Sequence, residues 1–284
     1  MLIVDNVTVR IGDRLILDGA NAAISDGRKV GLVGRNGAGK TTLLRLILGE
    51  RESETGHVEY TKGWRVGAVA QEAPSGPMSL IDTVLAADKE RTQLLAAAEA
   101  DGDPAHLGEI HARLDAIDAY AAPARAARIL AGLGFGEAEQ QRPCSEFSGG
   151  WRMRVALAAL LFSAPDLLLL DEPTNYLDLE GALWLEDFLK RYRGTILLVS
   201  HDRDLLNRAV DSILHLEHSK LTLYSGGYDT FVETREMKRA LAEAQRTQQE
   251  AERKRIQAFV DRFRYKASKA RQAQSRIKWL EKMK

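Results

Sequence analysis

The sequence has only one cysteine, Cys144, so it can form no internal disulfide bond and no cysteine cluster for a metal ion. It also has no window approaching about 18 uncharged apolar residues, the length that a membrane-spanning helix requires. Its first residues lack both the charged start and the long apolar run of a secretory signal peptide. These absences exclude a disulfide-rich secreted domain. They lead us to expect a globular cytoplasmic protein with no membrane-spanning segment.

The sequence lacks net charge as well, but its charges are unevenly distributed. Residues 253–284 contain twelve lysines and arginines and two acidic residues, whereas residues 1–252 contain 28 basic and 38 acidic residues. The basic end therefore carries a charge of +10 and the rest a charge of −10. A neutral total made in this way predicts two surfaces with different partners.

The most informative stretch is a glycine-rich loop that follows the apolar run of residues 29–33. Its residues match the pattern G-x-x-x-x-G-K-T: Gly34, Arg35, Asn36, Gly37, Ala38, Gly39, Lys40, Thr41 and Thr42. The glycines let backbone N–H groups turn inward around a polyphosphate, Lys40 can reach the β- and γ-phosphates, and the Thr41 hydroxyl is placed to ligate Mg²⁺. A helix predicted over residues 41–48 directs its positive dipole end at the same phosphates. A glycine-rich turn that binds nothing is the alternative.

Strand patterns surround this loop on both sides. Strands are predicted at residues 2–9, 15–17, 20–24, 57–60, 65–70, 166–170, 195–199, 212–216 and 221–224. The first three, separated by turns at residues 18–19 and 26–27, predict an antiparallel β layer. Residues 80–133 have helical spacing instead, broken at residues 101–104 and 122–123, and predict three helices inserted between strands of the α/β part.

The residues from 228 onward contain no proline and no strand pattern. They predict one helix over residues 228–264, about 55 Å long, leaving the globular part. Apolar positions 273, 277 and 280 indicate a second helix folding back on the first, with a turn near residues 265–269. The sequence stops inside this second helix without a cap, so we expect a fragment of a longer protein.

Two carboxylates follow the apolar strand of residues 167–170. A strand with this continuous apolar run is covered on both faces, so Asp171 and Glu172 are expected at its C-terminal end, beside the phosphate loop. Asp171 would hold Mg²⁺ through water, and Glu172 would polarise the attacking water. The alternative is a pair of solvated acids at the start of a loop.

Ser148, Gly149 and Gly150 precede a helix predicted over residues 152–162. Ser148 can cap that helix, and the two glycines leave its N–H groups uncovered, so the motif predicts a second anion site. A purely structural capping turn is the alternative. His201, at the end of the strand of residues 195–199, can donate a hydrogen bond to a γ-phosphate, although alone it would be an ordinary strand-end histidine.

These motifs, in this order, resemble the complete set of an ATP-binding-cassette (ABC) ATPase domain. The resemblance covers residues 1 to about 227 and includes the phosphate loop (Walker A), Gln71 (Q-loop), Ser148, Gly149 and Gly150 (signature), Asp171 and Glu172 (Walker B), Leu177 and Asp178 (D-loop) and His201 (H-switch). It implies a P-loop α/β cassette, with a RecA-like core, an antiparallel β layer and an inserted helical subdomain at about residues 78–164.

What the resemblance implies for chemistry is a Mg²⁺-dependent ATPase. Lys40, Glu172 and His201 would be catalytic. Gln71 would contact the nucleotide and, with Thr41 and Asp171, the metal. In that family each nucleotide lies between the Walker A loop of one cassette and the signature of another. The implied partner is a second cassette or a second copy of this chain.

Two further stretches resemble the ABC-F group, the soluble translation-associated ATPases with two cassettes in one chain. Residues 172–178 resemble that group's E-P-T-N-H-L-D run, and residues 259–277 resemble the start of its interdomain linker, which enters the ribosome near the tRNA. Residues 228–284 would then be a basic linker forming a helical hairpin. Candidate contacts to ribosomal RNA or tRNA are Arg262, Arg264, Lys266, Lys269 and Arg271. The aromatics Phe259 and Phe263 are interpreted first as packing residues and second as base-stacking residues.

Three positions depart from the pattern of the family. Tyr176 replaces the usual histidine of the D-loop run, and Trp151 follows the signature in place of glutamine or glutamate. Ile11 stands where an aromatic residue normally stacks on adenine. We therefore expect weak discrimination between ATP and GTP.

Two other functions share most of these motifs. The ATPase subunit of a membrane transporter has the same set, but the basic helical extension argues against it. A DNA-repair ATPase with coiled-coil arms would carry its long insertion between Walker A and the signature, where the insertion here is short.

Overall fold

The computed structural model describes residues 1–70, 72–100 and 104–263. Within these residues the strands are β1 (Leu2–Ile11), β2 (Arg14–Ile24), β3 (Lys29–Gly34), β4 (Thr55–Tyr60), β5 (Val66–Ala68), β6 (Leu167–Asp171), β7 (Thr195–Val199), β8 (Ser212–Glu217) and β9 (Lys220–Ser225). The helices are α1 (Lys40–Ile47), α2 (Leu80–Leu85), α3 (Lys89–Ala100), α4 (Pro104–Ala116), α5 (Ala122–Gly132), α6 (Glu137–Gln140), α7 (Gly149–Ser163), α8 (Leu179–Arg191), α9 (Arg203–Ala209) and α10 (Tyr228–Phe263).

The strands form two sheets. The larger sheet has the order β5-β6-β7-β3-β8-β9, in which the first five strands are parallel and β9 is antiparallel to β8. The smaller sheet has the antiparallel order β2-β1-β4. In the larger sheet β7 lies between β6 and β3, so the residues that follow β6 and β7 emerge side by side at the edge where β3 leads into the phosphate loop.

The main core lies around α1. Its buried residues Leu43, Leu44, Leu46 and Ile47 share one apolar cluster with residues of both sheets. Strands β6 and β7 are apolar along their length and buried, as expected for parallel strands that are covered on both faces. The packing of α1 between the sheets holds the phosphate loop against a rigid base.

Helices α2 to α7 lie in the chain between two neighbouring strands of the larger sheet. Strands β5 and β6 pair in parallel, with Val66 opposite Leu167, although about a hundred residues separate them in the chain. The prediction of three helices in residues 80–133 was wrong, because the described residues of this range form four, α2 to α5. Helix α2 ends at Leu85, and Asp88 starts α3 by accepting a hydrogen bond from the Arg91 backbone N–H at 3.0 Å.

The expected break at residues 122–123 coincides with a helix boundary, because α4 ends at Ala116 and α5 begins at Ala122. Proline lies there in the first turn of a helix, where its missing N–H has no cost.

Residues 14–24 form one strand, β2, although two strands with a turn at residues 18–19 were expected. Strand β2 runs without a turn from Arg14 to Ile24, and its register against β1 shifts between Val7 and Val9 of β1. Gly19 takes φ +50° inside the strand, so it accommodates an irregularity in pairing. The Asp18-Gly19 pair therefore marks a β-bulge within one strand and not a turn between two strands.

Helix α10 has 36 residues and is about 54 Å long, close to the length expected from the sequence. The chain divides into two compact units, one from Met1 to Asp229 and one that begins at Thr230. None of the helices in the described part of the chain combines the length and apolarity needed to span a bilayer. The second helix of the expected hairpin and its turn lie outside the described residues.

Candidate nucleotide site

The phosphate loop connects β3 to α1 in a conformation that requires glycine. Gly37 has φ +71° and Gly39 has φ +113°. A Cβ atom at Gly39 would lie 2.2 Å from Cγ2 of Ile16, and one at Gly34 would lie 2.7 Å from the carbonyl oxygen of Leu216. The backbone angle disfavours a side chain at Gly37 and Gly39, and lack of space excludes one at Gly34 and Gly39, so the loop lies close to β2 and β8.

Lys40, the first residue of α1, reaches back across the loop. Its Nζ donates to the carbonyl oxygen of Gly34 at 3.0 Å and lies 3.5 Å from that of Arg35. The acceptors of the ammonium group in the described part of the chain are thus neutral carbonyl oxygens, which hold it over the concave side of the loop. A phosphate group arriving there would offer it charged oxygens, which accept stronger hydrogen bonds.

Thr41 and Asp171 approach each other although 130 residues separate them. The Thr41 hydroxyl donates to Oδ2 of Asp171 at 2.9 Å. A hydroxyl and a carboxylate are oxygen ligands of the kind that Mg²⁺ prefers, and Mg²⁺ commonly combines one or two such groups with waters and phosphate oxygens. This donor pair fits a magnesium ion bound with a nucleotide. No cluster of three or more His, Cys, Asp or Glu side chains suited to a metal occurs in the described residues.

Glu172 has an unusual backbone and a partly satisfied carboxylate. Its φ of +50° and ψ of +54° place it in the left-handed region, which costs a non-glycine residue about 1 kcal/mol or more. Oε2 accepts a hydrogen bond from the backbone N–H of His201 at 3.3 Å. Oε1 is buried and has no hydrogen-bond partner among the described residues. One carboxylate oxygen is thus oriented by the protein, and the other is buried without a hydrogen-bond partner among the described residues.

His201 follows β7, and the sheet order brings it to Glu172. Asp171 and Val199 are opposite each other in the pairing of β6 with β7. Nε2 of His201 lies 3.4 Å from Oε1 of Glu172, without hydrogen-bond geometry, and the imidazole is 63% exposed while the glutamate is 21% exposed. The imidazole is therefore exposed beside the acid, where a phosphate could contact it.

A cavity of about 430 Å³ adjoins these groups. It extends from Thr41, Asp171 and Glu172 to Met153 and Leu157 of α7. The acids accordingly face a space with room for water molecules.

Ser148, Gly149 and Gly150 are exposed at the start of α7. Ser148 occupies the N-cap position with an extended backbone, but its side chain accepts no hydrogen bond, so the prediction that it caps the helix was wrong. A Cβ atom at Gly149 would meet nothing within 4 Å, and one at Gly150 would meet only a Tyr176 ring atom at 4.0 Å. The packing of the described residues therefore does not explain the two glycines.

Sequence reasoning missed Arg154, which joins the signature helix to the D-loop. Its guanidinium is buried, donates through Nη1 to Oδ2 of Asp178 at 3.0 Å and to the carbonyl oxygen of Leu133 at 3.2 Å, and donates through Nε to the carbonyl oxygen of Tyr176. It also lies over the Trp151 ring, 4.2 Å from its centre. The available signal was an arginine within the apolar run of α7.

Asp178 of the D-loop has two partners. Its Oδ1 accepts from the backbone N–H of Gly181 at 2.9 Å, which caps α8, and its Oδ2 accepts from Arg154. The Gly181 hydrogen bond first, and the Arg154 hydrogen bond second, hold the pKa of Asp178 below its usual value. The carboxylate is therefore kept ionised and in place.

The remaining candidates are not described. Gln71, Arg264, Lys266, Lys269, Arg271 and the side chain of Arg262 lie outside the described residues. No hydrogen bond or ion pair within the described part of the chain joins the signature residues to the phosphate loop.

The sequence of this chain also matches a known protein family, in agreement with the geometry of the site. A family model described as ABC transporter matches residues 17–175, which is more than half of the chain. The chain belongs to the ABC transporter family. A second model with the same description matches residues 214–284.

Similar proteins of known family indicate the subfamily to which this chain belongs. It is 46% identical over 286 residues, covering 100% of the chain, to the probable ATP-binding protein YheS of Escherichia coli K12, and 44% identical over 291 residues, covering 99% of the chain, to ATP-binding cassette sub-family F member 3 of Homo sapiens. These matches confirm the ABC-F prediction. The chain spans 45% and 40%, respectively, of the length of these two relatives.

Solved structures confirm the predicted cassette fold. The ATP-binding subunit of an ABC transporter superposes with a TM-score of 0.60 at 19% identity, covering 79% of this chain and 90% of that one. A dimeric ATP-binding cassette in a post-hydrolysis state with ADP and Pi superposes with a TM-score of 0.57 at 21% identity, covering 79% and 98%. At these identities the likeness concerns the fold.

Proposed function

We propose that this chain binds and hydrolyses Mg-ATP, and that ATP draws two cassettes together while hydrolysis separates them. The observation that carries the proposal is the 2.9 Å hydrogen bond between Thr41 and Asp171, with Glu172 as the next residue. It supports a metal site and a water-orienting carboxylate at the end of the phosphate loop. Lys40, Glu172 and His201 are the proposed catalytic residues, and Gln71 is a further proposed contact to nucleotide and metal.

Variants of Lys40 and Glu172 separate binding from turnover. Lys40→Ala should abolish nucleotide binding because it removes a charged phosphate contact. Glu172→Gln should keep binding and stop hydrolysis because it removes only the carboxylate that orients water. Equilibrium binding and phosphate release would be measured for both, with Glu59→Gln on exposed β4 as the control for loss of a glutamate charge. Equal loss of binding in the Lys40 and Glu172 variants would refute the role of Glu172.

The second cassette is the proposed partner of this site. Ser148, Gly149 and Gly150 are exposed, unexplained by packing within the described part of the chain, and suited to present N–H groups to another cassette's γ-phosphate. The structural relative described as a dimeric cassette supports such an arrangement. In the proposal, residues 1–227 form the cassette and residues 228–284 a linker to the next one.

We further propose that the protein is cytoplasmic and acts on the ribosome, with the basic linker contacting ribosomal RNA or tRNA. Support comes from the sub-family F relatives and from the +10 charge of residues 253–284. Glu172→Gln with ATP should co-sediment with ribosomes more strongly than the wild type, since it retains the closed state.

Replacing the basic residues of the linker with uncharged ones tests whether the linker contacts RNA. Changing Arg262, Arg264, Lys266, Lys269 and Arg271 to glutamine should weaken ribosome binding and flatten its dependence on salt. Equal binding and an equal salt slope would contradict the RNA contact.

A transporter subunit is the second candidate, because one solved neighbour is described as the ATP-binding subunit of an ABC transporter. Membrane fractionation separates the two functions. Recovery with membranes, and none with ribosomes, would favour the transporter.

A further inference from the structure

Arg14 begins β2 directly after the turn that closes the β1–β2 hairpin. Ile11 and Arg14 are the last opposed pair of the two strands, and Gly12, with φ +58°, and Asp13 form the turn between them. Opposed residues of antiparallel strands project from the same face of the sheet. The side chains of Ile11 and Arg14 therefore lie on one face.

That face is turned toward the phosphate loop. A Cβ atom at Gly37 would lie 3.6 Å from Nη1 and 3.9 Å from Nη2 of Arg14. Ile16, two residues further along β2 and so on the same face, approaches Gly39 even more closely. Strand β2 thus places the guanidinium of Arg14 beside Gly37, in the middle of the phosphate loop, and the side chain of Ile16 against Gly39, at the end of the loop.

Among the described residues, the guanidinium of Arg14 has no hydrogen-bond or ion-pair partner. It is exposed, and it makes no hydrogen bond or ion pair with any described residue, whereas Arg10 on the neighbouring strand lies 3.4 Å from Glu54. Ile11, opposite Arg14, is 45% exposed. A free planar cation and an exposed apolar side chain accordingly lie together beside the phosphate loop.

We propose that Arg14 binds the purine ring of the nucleotide, stacking its guanidinium plane on the base while Ile11 contacts the base edge. The proposal rests on the proposed function. The phosphates already have Lys40, the loop N–H groups and the start of α1, whereas no aromatic side chain is available at Ile11. Arginine stacks on flat rings through its delocalised plane, and a lysine ammonium has no such plane. Both purines present a π face, so this contact favours ATP and GTP about equally.

Equilibrium binding of ATP, GTP and inorganic tripolyphosphate tests the proposal. Arg14→Ala should weaken ATP and GTP binding about tenfold each, which is the order expected for one stacked base, and leave tripolyphosphate binding unchanged. Arg14→Lys keeps the charge but loses the plane, so it should behave like Arg14→Ala. Arg10→Ala removes a positive charge from the same layer and should bind all three ligands as the wild type does.

Three results would overturn the proposal. If Arg14→Ala weakens tripolyphosphate binding as much as ATP binding, Arg14 contacts phosphate and not the base. If Arg14→Lys retains full affinity, charge alone accounts for the effect. If the wild type binds ATP and Arg14→Ala binds it equally well, Arg14 has no role while the proposed function stands. A wild type that binds no nucleotide would instead refute the proposed function itself.

Discussion

Asp178 shows how one side chain can stabilise a loop and orient it. Its lowered pKa means that the folded chain holds this carboxylate ionised more firmly than the unfolded chain does. The stabilisation is therefore present above the usual aspartate pKa and is lost as the pH falls through the lowered value.

Asp178→Asn should accordingly be less stable than the wild type at neutral pH. Urea unfolding of both proteins over a pH series should show the difference shrinking in acid, because the wild-type carboxylate becomes protonated there. Asp13→Asn, at an aspartate with no hydrogen bond among the described residues, is the matched control. A difference that persists unchanged at acid pH would contradict the role given to the ionised carboxylate.

The sequence predicted the residues of the phosphate loop and the two acids, but it did not predict the role of Arg154. The loop residues are adjacent in the chain and form one pattern, and the apolar strand indicates that Asp171 and Glu172 lie at its end. The partners of Arg154 come from Leu133, Tyr176 and Asp178, more than twenty residues away on either side. Nothing in the local pattern of α7 indicates those contacts.

At the scale of elements, the start of α7 is the part whose sequence the fold explains least. Gly149 has free space around its Cβ position, and alanine is the better helix former. Gly149→Ala should therefore leave stability unchanged or slightly raised, yet reduce ATPase activity at saturating protein several-fold if another cassette's phosphate must approach this backbone.

Gly108→Ala in α4 is the matched control, since Gly108 is also exposed with nothing within 4 Å of its Cβ position. It should raise stability and leave activity unchanged. Full activity in Gly149→Ala would show that the helix start needs no close approach.

The ends of a helix or strand were predicted well where a single hydrophobic pattern runs through the whole element. Strand β7 has the bounds expected from the sequence, because its five residues are apolar and buried on both faces. The break between α2 and α3 was missed, because Ala86, Ala87 and Lys89 are good helix formers, and the one contrary signal is Asp88, which accepts a hydrogen bond from the backbone N–H of Arg91. In β2, pairing with β1 overrides a local turn signal at Gly19.

At the scale of the whole molecule, the described residues contain both halves of the proposed nucleotide site, and no hydrogen bond or ion pair among these residues joins the two halves. The phosphate loop, Asp171, Glu172 and His201 meet at one edge of the larger sheet, while the signature residues are exposed at the start of α7. The N–H groups of a second cassette's signature would stabilise charge on the γ-phosphate. A contribution of this kind, like that of an arginine finger, is worth a factor of about 10³ or more in rate.

Specific ATPase activity as a function of protein concentration tests this composite site most directly. Activity per mole should rise with concentration as two chains associate, and Ser148→Arg should keep the fold and ATP binding but remain at the low, concentration-independent rate. Equal circular dichroism spectra for the two proteins would establish that the variant is folded. Full activity per mole, independent of concentration in a protein proven monomeric by sedimentation, would contradict the account.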